Sequence, residues 1–79
     1  MSYNNILTNK IYDLLVPMFG EVMSKSILKV QCAKINIPEE AIGVSHLDML
    51  AEKIEIGIKV FLGAERSREV SRLIKELAV

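Results

Sequence analysis

Apolar side chains recur at helical spacing in every segment of this 79-residue chain, and this periodicity limits the fold more than any other feature. Gly20, a loop at residues 36–44 and Gly63 divide the chain into four such segments. The longest stripe belongs to the third segment and consists of Leu47, Leu50, Ala51, Ile54, Ile58 and Phe61. The sequence therefore predicts one all-α domain over residues 1–79, with four helices and no strand.

Polar and proline residues indicate where the helices begin and end. Asn4 or Asn5 is suited to cap the first helix, which we expect to stop just before Pro17, since proline cannot donate to the helical hydrogen-bond ladder. Ser45 stands three residues before Asp48, in the pattern of a capping box that opens the third helix.

The phase of the apolar stripes predicts a further break at Gly63. At about 100° per residue, the third segment centres its stripe near Ile54, and the last segment centres its own on Val70 and Ile74. In an uninterrupted helix these stripes would point roughly 130° apart. A break at Gly63 lets both face one core, and glycine suits a helix end.

The two halves of the chain resemble each other at an offset of 43 residues. Residues 2–36 align with residues 45–79 without a gap, with six identities that include Gly20 with Gly63. Two similar αα-hairpins packed as a four-helix bundle would explain this internal repeat. The alternative is that any two amphipathic hairpins with a central glycine would align to this extent.

Composition excludes several classes of protein. The chain carries ten Lys or Arg and ten Asp or Glu, so it lacks the basic excess of a nucleic-acid binder or a polybasic membrane anchor. No apolar run approaches the roughly 18 residues of a membrane span. The single cysteine, Cys32, cannot form an intrachain disulfide, which favours a reducing cytoplasm.

Residues capable of catalysis or metal binding are few. His46 is better explained as part of the first turn of the third helix, and Cys32 as a small buried hydrophobe. Asp48, Glu52 and Glu55 follow one helix face, but no Glu-x-x-His motif of a bundle metal site accompanies them. We therefore expect no enzyme activity, no metal site and no cofactor.

Three further apolar residues on the third helix predict an interaction surface. Met49, Ile56 and Val60 lie about 200° around the helix from Ile54, on the side away from the core stripe. A chain this small seldom covers a helix on two sides, so we expect a protein-interaction module that forms a homo-oligomer, preferably a dimer, or binds another protein. Alternatively, neighbouring helices cover both sides.

A DNA-binding protein is the second hypothesis. The last segment, residues 65–78, places Arg68, Arg72 and Lys75 on one face, as a recognition helix would. Three glutamates in the same segment nearly cancel this charge, so nucleic acid is disfavoured as a partner.

Overall fold

The computed structural model describes residues 3–78 and is all-helical over that range, as predicted. It contains two long helical elements, α1 (Ile6–Lys34) and α2 (Leu47–Glu76). The linker between them holds two short 3-10 helices, Glu39–Ala41 and Val44–His46. No strand and no helix long and apolar enough to cross a membrane occur within the described part.

Each long element is sharply bent at one glycine. Gly20 has φ 81° and ψ 173°, and Gly63 has φ 84° and ψ 167°. This backbone region is open essentially to glycine alone, because any other L residue would bring its Cβ into collision with its own backbone. The break that the stripe phases predict at Gly63 is therefore confirmed as a bend.

The predicted four-helix bundle is wrong in its number of elements. Helical residues adjoin each glycine on both sides with no connecting loop, so the chain forms two bent helices rather than four separate ones. The straight parts on either side of the bends are called arms here: α1a (6–19), α1b (21–34), α2a (47–62) and α2b (64–76).

Two predicted helix ends are also corrected. The first arm runs through Pro17 to the bend at Gly20, although proline supplies no backbone N–H to the helical ladder. The helix predicted to open at Ser45 begins at Leu47, and its cap residue, His46, makes no side-chain capping bond. Asn5 does cap α1, because its Oδ1 accepts from the backbone N–H of Thr8 at 3.0 Å.

All four arms and the linker contribute to a single core. The stripe predicted on the third segment is buried from Leu47 to Ile58, whereas Phe61 is exposed and does not extend it. Phe61 stands at the end of the arm, two residues before the bend, and its ring contacts Phe19 instead of the buried core. The buried hydrophobic residues are Ile11, Tyr12, Leu15, Leu28, Cys32, Ile42, Leu47, Leu50, Ala51, Ile54, Ile58, Val70 and Ile74.

Side chains of α1a hold the linker in place. Asn5 Nδ2 donates to the carbonyl oxygens of Glu40 and Ile42, both at 3.0 Å. Thr8 Oγ1 donates to the carbonyl oxygen of Glu39. Because the Asn5 amide also caps its own helix, one side chain fixes both the start of α1 and the path of the linker.

The bends fold the arms onto the core instead of extending them. The accessible surface is 4793 Å², and a monomeric protein of this mass typically has about 4,800 Å². The radius of gyration is 11.1 Å, against about 12 Å expected for a compact domain of this length. A single copy therefore closes its own core.

Candidate interaction surfaces

The predicted apolar surface lies on the outer side of α2a. Met49 is 55% exposed, Ile56 68% and Val60 84%. They lie seven and four residues apart, which places them along one side of the arm, roughly opposite its buried stripe. No neighbouring arm covers them, contrary to the alternative expectation. These three residues are called the Ile56 surface.

Phe61 adds an exposed ring at the end of the same arm. It is 61% exposed, and its ring meets that of Phe19 edge to face, with centroids 6.1 Å apart. Phe19 directly precedes Gly20, and Phe61 stands two residues before Gly63. The ring contact therefore shows that the two bends lie at the same end of the molecule.

The three predicted basic residues line one cavity. The sequence did not predict that a residue of another arm lines it as well. The cavity has a volume of about 430 Å³. Its lining residues are Glu55, Arg68, Ser71, Arg72, Lys75 and Glu76. Glu55 comes from α2a and the others from α2b, so only the bend at Gly63 could bring them together.

Carboxylates compensate most of this positive charge. Arg72 forms ion pairs with both Glu69 and Glu76, and Lys75 Nζ lies 3.9 Å from Glu52 Oε2. The guanidinium of Arg72 lowers the pKa of the Glu69 carboxyl by hydrogen bonding, and Glu69 in turn raises the pKa of Arg72. Two of the three cations, Arg72 and Lys75, are thus paired with carboxylates of the same chain.

The contacts of Cys32 and His46 are those of structural residues. Cys32 is fully buried in the core, and burial, with a smaller contribution from the charge of Glu39, raises the pKa of its thiol to about 11. The thiolate needed for nucleophilic chemistry is therefore disfavoured. His46 Nδ1 accepts from the backbone N–H of Gly43 at 2.9 Å and so fixes the turn before α2.

The carboxylates of α2a do not converge. Across residues 3–78, no group of three or more His, Cys, Asp or Glu side chains is placed to hold a metal ion. Asp48, Glu52 and Glu55 instead follow the exposed and half-buried side of the arm, and Glu52 faces Lys75 of α2b.

Comparison with protein-family models, with curated proteins and with solved structures gives no match for this chain.

Proposed function

We propose that this chain is a non-catalytic interaction module that forms a dimer through the Ile56 surface. The observation that supports this is the exposure of Met49, Ile56 and Val60 along one side of an arm whose other side lies in the core. Exposed apolar side chains that line up along one side of a helix are candidates for an interaction site.

The apolar area gives the expected strength of the contact. Full burial of one such side chain contributes about 1.5–3 kcal/mol, so the exposed part of the three would contribute roughly 3–6 kcal/mol per copy. Two copies together offer roughly 6–12 kcal/mol against an association cost of about 4–15 kcal/mol. Only the favourable end of these ranges, a net of about 8 kcal/mol, corresponds to a micromolar dissociation constant, so the proposed dimer is a weak one that dissociates on dilution.

A second copy of the chain suits this surface. The residues lie in a row with Ile56 between Met49 and Val60, so a twofold axis near Ile56 would bring each row against its equivalent. The chain carries no net charge, and two copies therefore meet without overall repulsion. The alternative is that a different protein binds to this surface.

We also propose that the two bent helices arose as a repeat and that the protein works in the cytoplasm. The repeat is supported by the nearly equal φ and ψ of Gly20 and Gly63 and by the burial of Ser24 and Ser67, which are equivalent at the 43-residue offset. Positions 2 and 79 of the aligned halves lie outside the described residues. The buried thiol of Cys32 supports a location in the reducing cytoplasm, since it has no disulfide partner in the chain.

DNA binding through residues 65–78 is the weaker alternative. Phosphate binding needs cations free to release counterions, and the ion pairs of Arg72 and Lys75 oppose this. A duplex titration at about 50 mM and 200 mM salt separates the two proposals. The interaction module leaves the duplex unbound, whereas binding that weakens steeply with salt would favour the DNA-binding alternative.

Sedimentation equilibrium of the variant Ile56→Glu tests the proposed surface. We expect wild type at tens of micromolar to be a dimer and Ile56→Glu to be a monomer, because a buried unpaired carboxylate opposes association. Val22→Glu is the matched control: Val22 is 82% exposed on α1b, and its substitution should leave the dimer intact.

Two results would contradict the proposal. A monomeric wild type at tens of micromolar would rule out self-association through this surface. A dimer that Ile56→Glu leaves unchanged, with helical circular dichroism retained, would place the contact elsewhere.

A further inference from the structure

The bend at Gly63 has the properties of a single-residue hinge. Only the φ and ψ of Gly63 interrupt the helix, so a change at this residue would join α2a and α2b into one helix of 30 residues, about 45 Å long. The residue is exposed, and a Cβ placed on it would have no neighbour within 4 Å. No packing at the glycine itself therefore opposes a straight helix.

The arm beyond this hinge contributes few hydrophobic residues to the buried core. Val70 and Ile74 are its only hydrophobic residues in the buried core, and the other two buried positions are Ser67 and Ser71. Two polar side-chain contacts join this arm to the remainder of residues 3–78: Lys75 Nζ lies 3.9 Å from Glu52 Oε2, and Ser67 Oγ donates to the carbonyl oxygen of Gly63 at 2.7 Å. The second joins residues four apart, a bond that a straight helix also allows.

The equivalent bend at Gly20 is restrained by comparison. The arm before it and its cap residue donate three side-chain hydrogen bonds to the linker, two from Asn5 and one from Thr8. It also places Ile11, Tyr12 and Leu15 in the core. Opening at Gly20 would break all of these contacts, so Gly63 is the hinge that opens more easily.

A straight α2 cannot complete the core of its own copy. The apolar stripes of α2a and α2b would then point roughly 130° apart, which leaves Val70 and Ile74 facing away from Ile54. The same contacts can form again if a second copy supplies its α2b. Exchange of an identical segment in this way is a low-cost route to a dimer.

We propose that Gly63 is a hinge through which residues 64–78 exchange between two copies of this chain, so that each core is completed by the other copy's segment. The exchange does not rest on the Ile56 surface. It requires only that the bend open and that the contacts of α2b form between copies.

L-alanine and D-alanine at position 63 test the hinge, because they favour opposite signs of the backbone angle φ. Gly63→Ala disfavours the bent backbone, and we expect it to lower the monomer–dimer dissociation constant by on the order of 30- to 10,000-fold, because each dimer relieves the strain at two copies of residue 63. A chain synthesised with D-alanine at position 63 is the matched control, because a D residue accepts positive φ while adding the same methyl group. It should show no such gain in dimer.

Cross-linking identifies which copy supplies α2b. Lys75 and Glu52 are close enough for carbodiimide to join them by an amide bond with loss of water. Normal and ¹⁵N-labelled chains are unfolded together, refolded as a mixture and cross-linked. In Gly63→Ala we expect Glu52–Lys75 peptides that combine the two labels, and in the D-alanine chain peptides of one label only.

Failure of the exchange is distinguishable from failure of the Ile56 surface. If Gly63→Ala stays a monomer, or forms Glu52–Lys75 links only within one label, the hinge proposal is overturned. Adding Ile56→Glu to Gly63→Ala should leave the mixed-label peptides in place, because exchange does not use that surface. Their loss in the double variant would equally overturn an independent hinge.

Discussion

At the scale of single residues, a glycine inside α2a sets how closely α1b approaches. A Cβ on Gly57 would lie 2.5 Å from Gln31 Nε2 and 3.3 Å from Gln31 Cδ, and Gln31 is itself buried. The sequence did not reveal this contact, because a glycine within a helical stripe carries no signal of what lies across the interface. The bend at Gly63 was predictable, because the stripe phases on its two sides disagree.

We expect Gly57→Ala to change the free energy of unfolding by less than about 1 kcal/mol, because the gain from alanine in a helix, about 1 kcal/mol, is offset by the cost of moving the Gln31 amide at the end of its flexible side chain. In a Gln31→Ala background the same change should be stabilising by about 1 kcal/mol. Urea unfolding of the four proteins gives the coupling energy. Equal effects in both backgrounds would show that Gln31 does not pack on Gly57.

At the scale of elements, helical periodicity was sufficient to predict that both halves of the chain are helical and that the stripe from Leu47 to Ile58 is buried, but it wrongly added Phe61 to that stripe. It could not predict that the arms adjoin at a glycine without a loop, since the boundary signals at Pro17 and Ser45 are local. It also did not predict the hydrogen bonds from Asn5 to the linker. Asn5 and Glu40 are 35 residues apart, and a polar contact between residues so far apart produces no periodic pattern in the sequence.

Asn5→Ala should lower the free energy of unfolding by roughly 2 kcal/mol, since it removes a helix cap and leaves two linker carbonyls without their donor. Asn4→Ala is the matched control, because Asn4 is exposed and is not the cap residue. Thermal unfolding compares the two variants. Equal melting temperatures for them would contradict the role given to Asn5.

At the scale of the whole molecule, one copy closes its core and still presents an apolar surface. The sequence located that surface on the side of α2a away from Ile54, and the exposure of Met49, Ile56 and Val60 agrees with this placement. It also grouped Arg68, Arg72 and Lys75 on one face and found glutamates in the same segment, two of which, Glu69 and Glu76, pair with Arg72. It did not predict the contact of Lys75 with Glu52, because that contact depends on the bend at Gly63.

The most direct test of the proposed dimer is an isotope-filtered nuclear Overhauser measurement on a mixture of methyl-labelled and unlabelled chains. At concentrations above the dissociation constant, we predict intermolecular signals at the methyl groups of Met49, Ile56 and Val60 and none at Val22, which is exposed on α1b. Signals at Val22 without any at Ile56, or no intermolecular signal at any methyl group, would contradict the account.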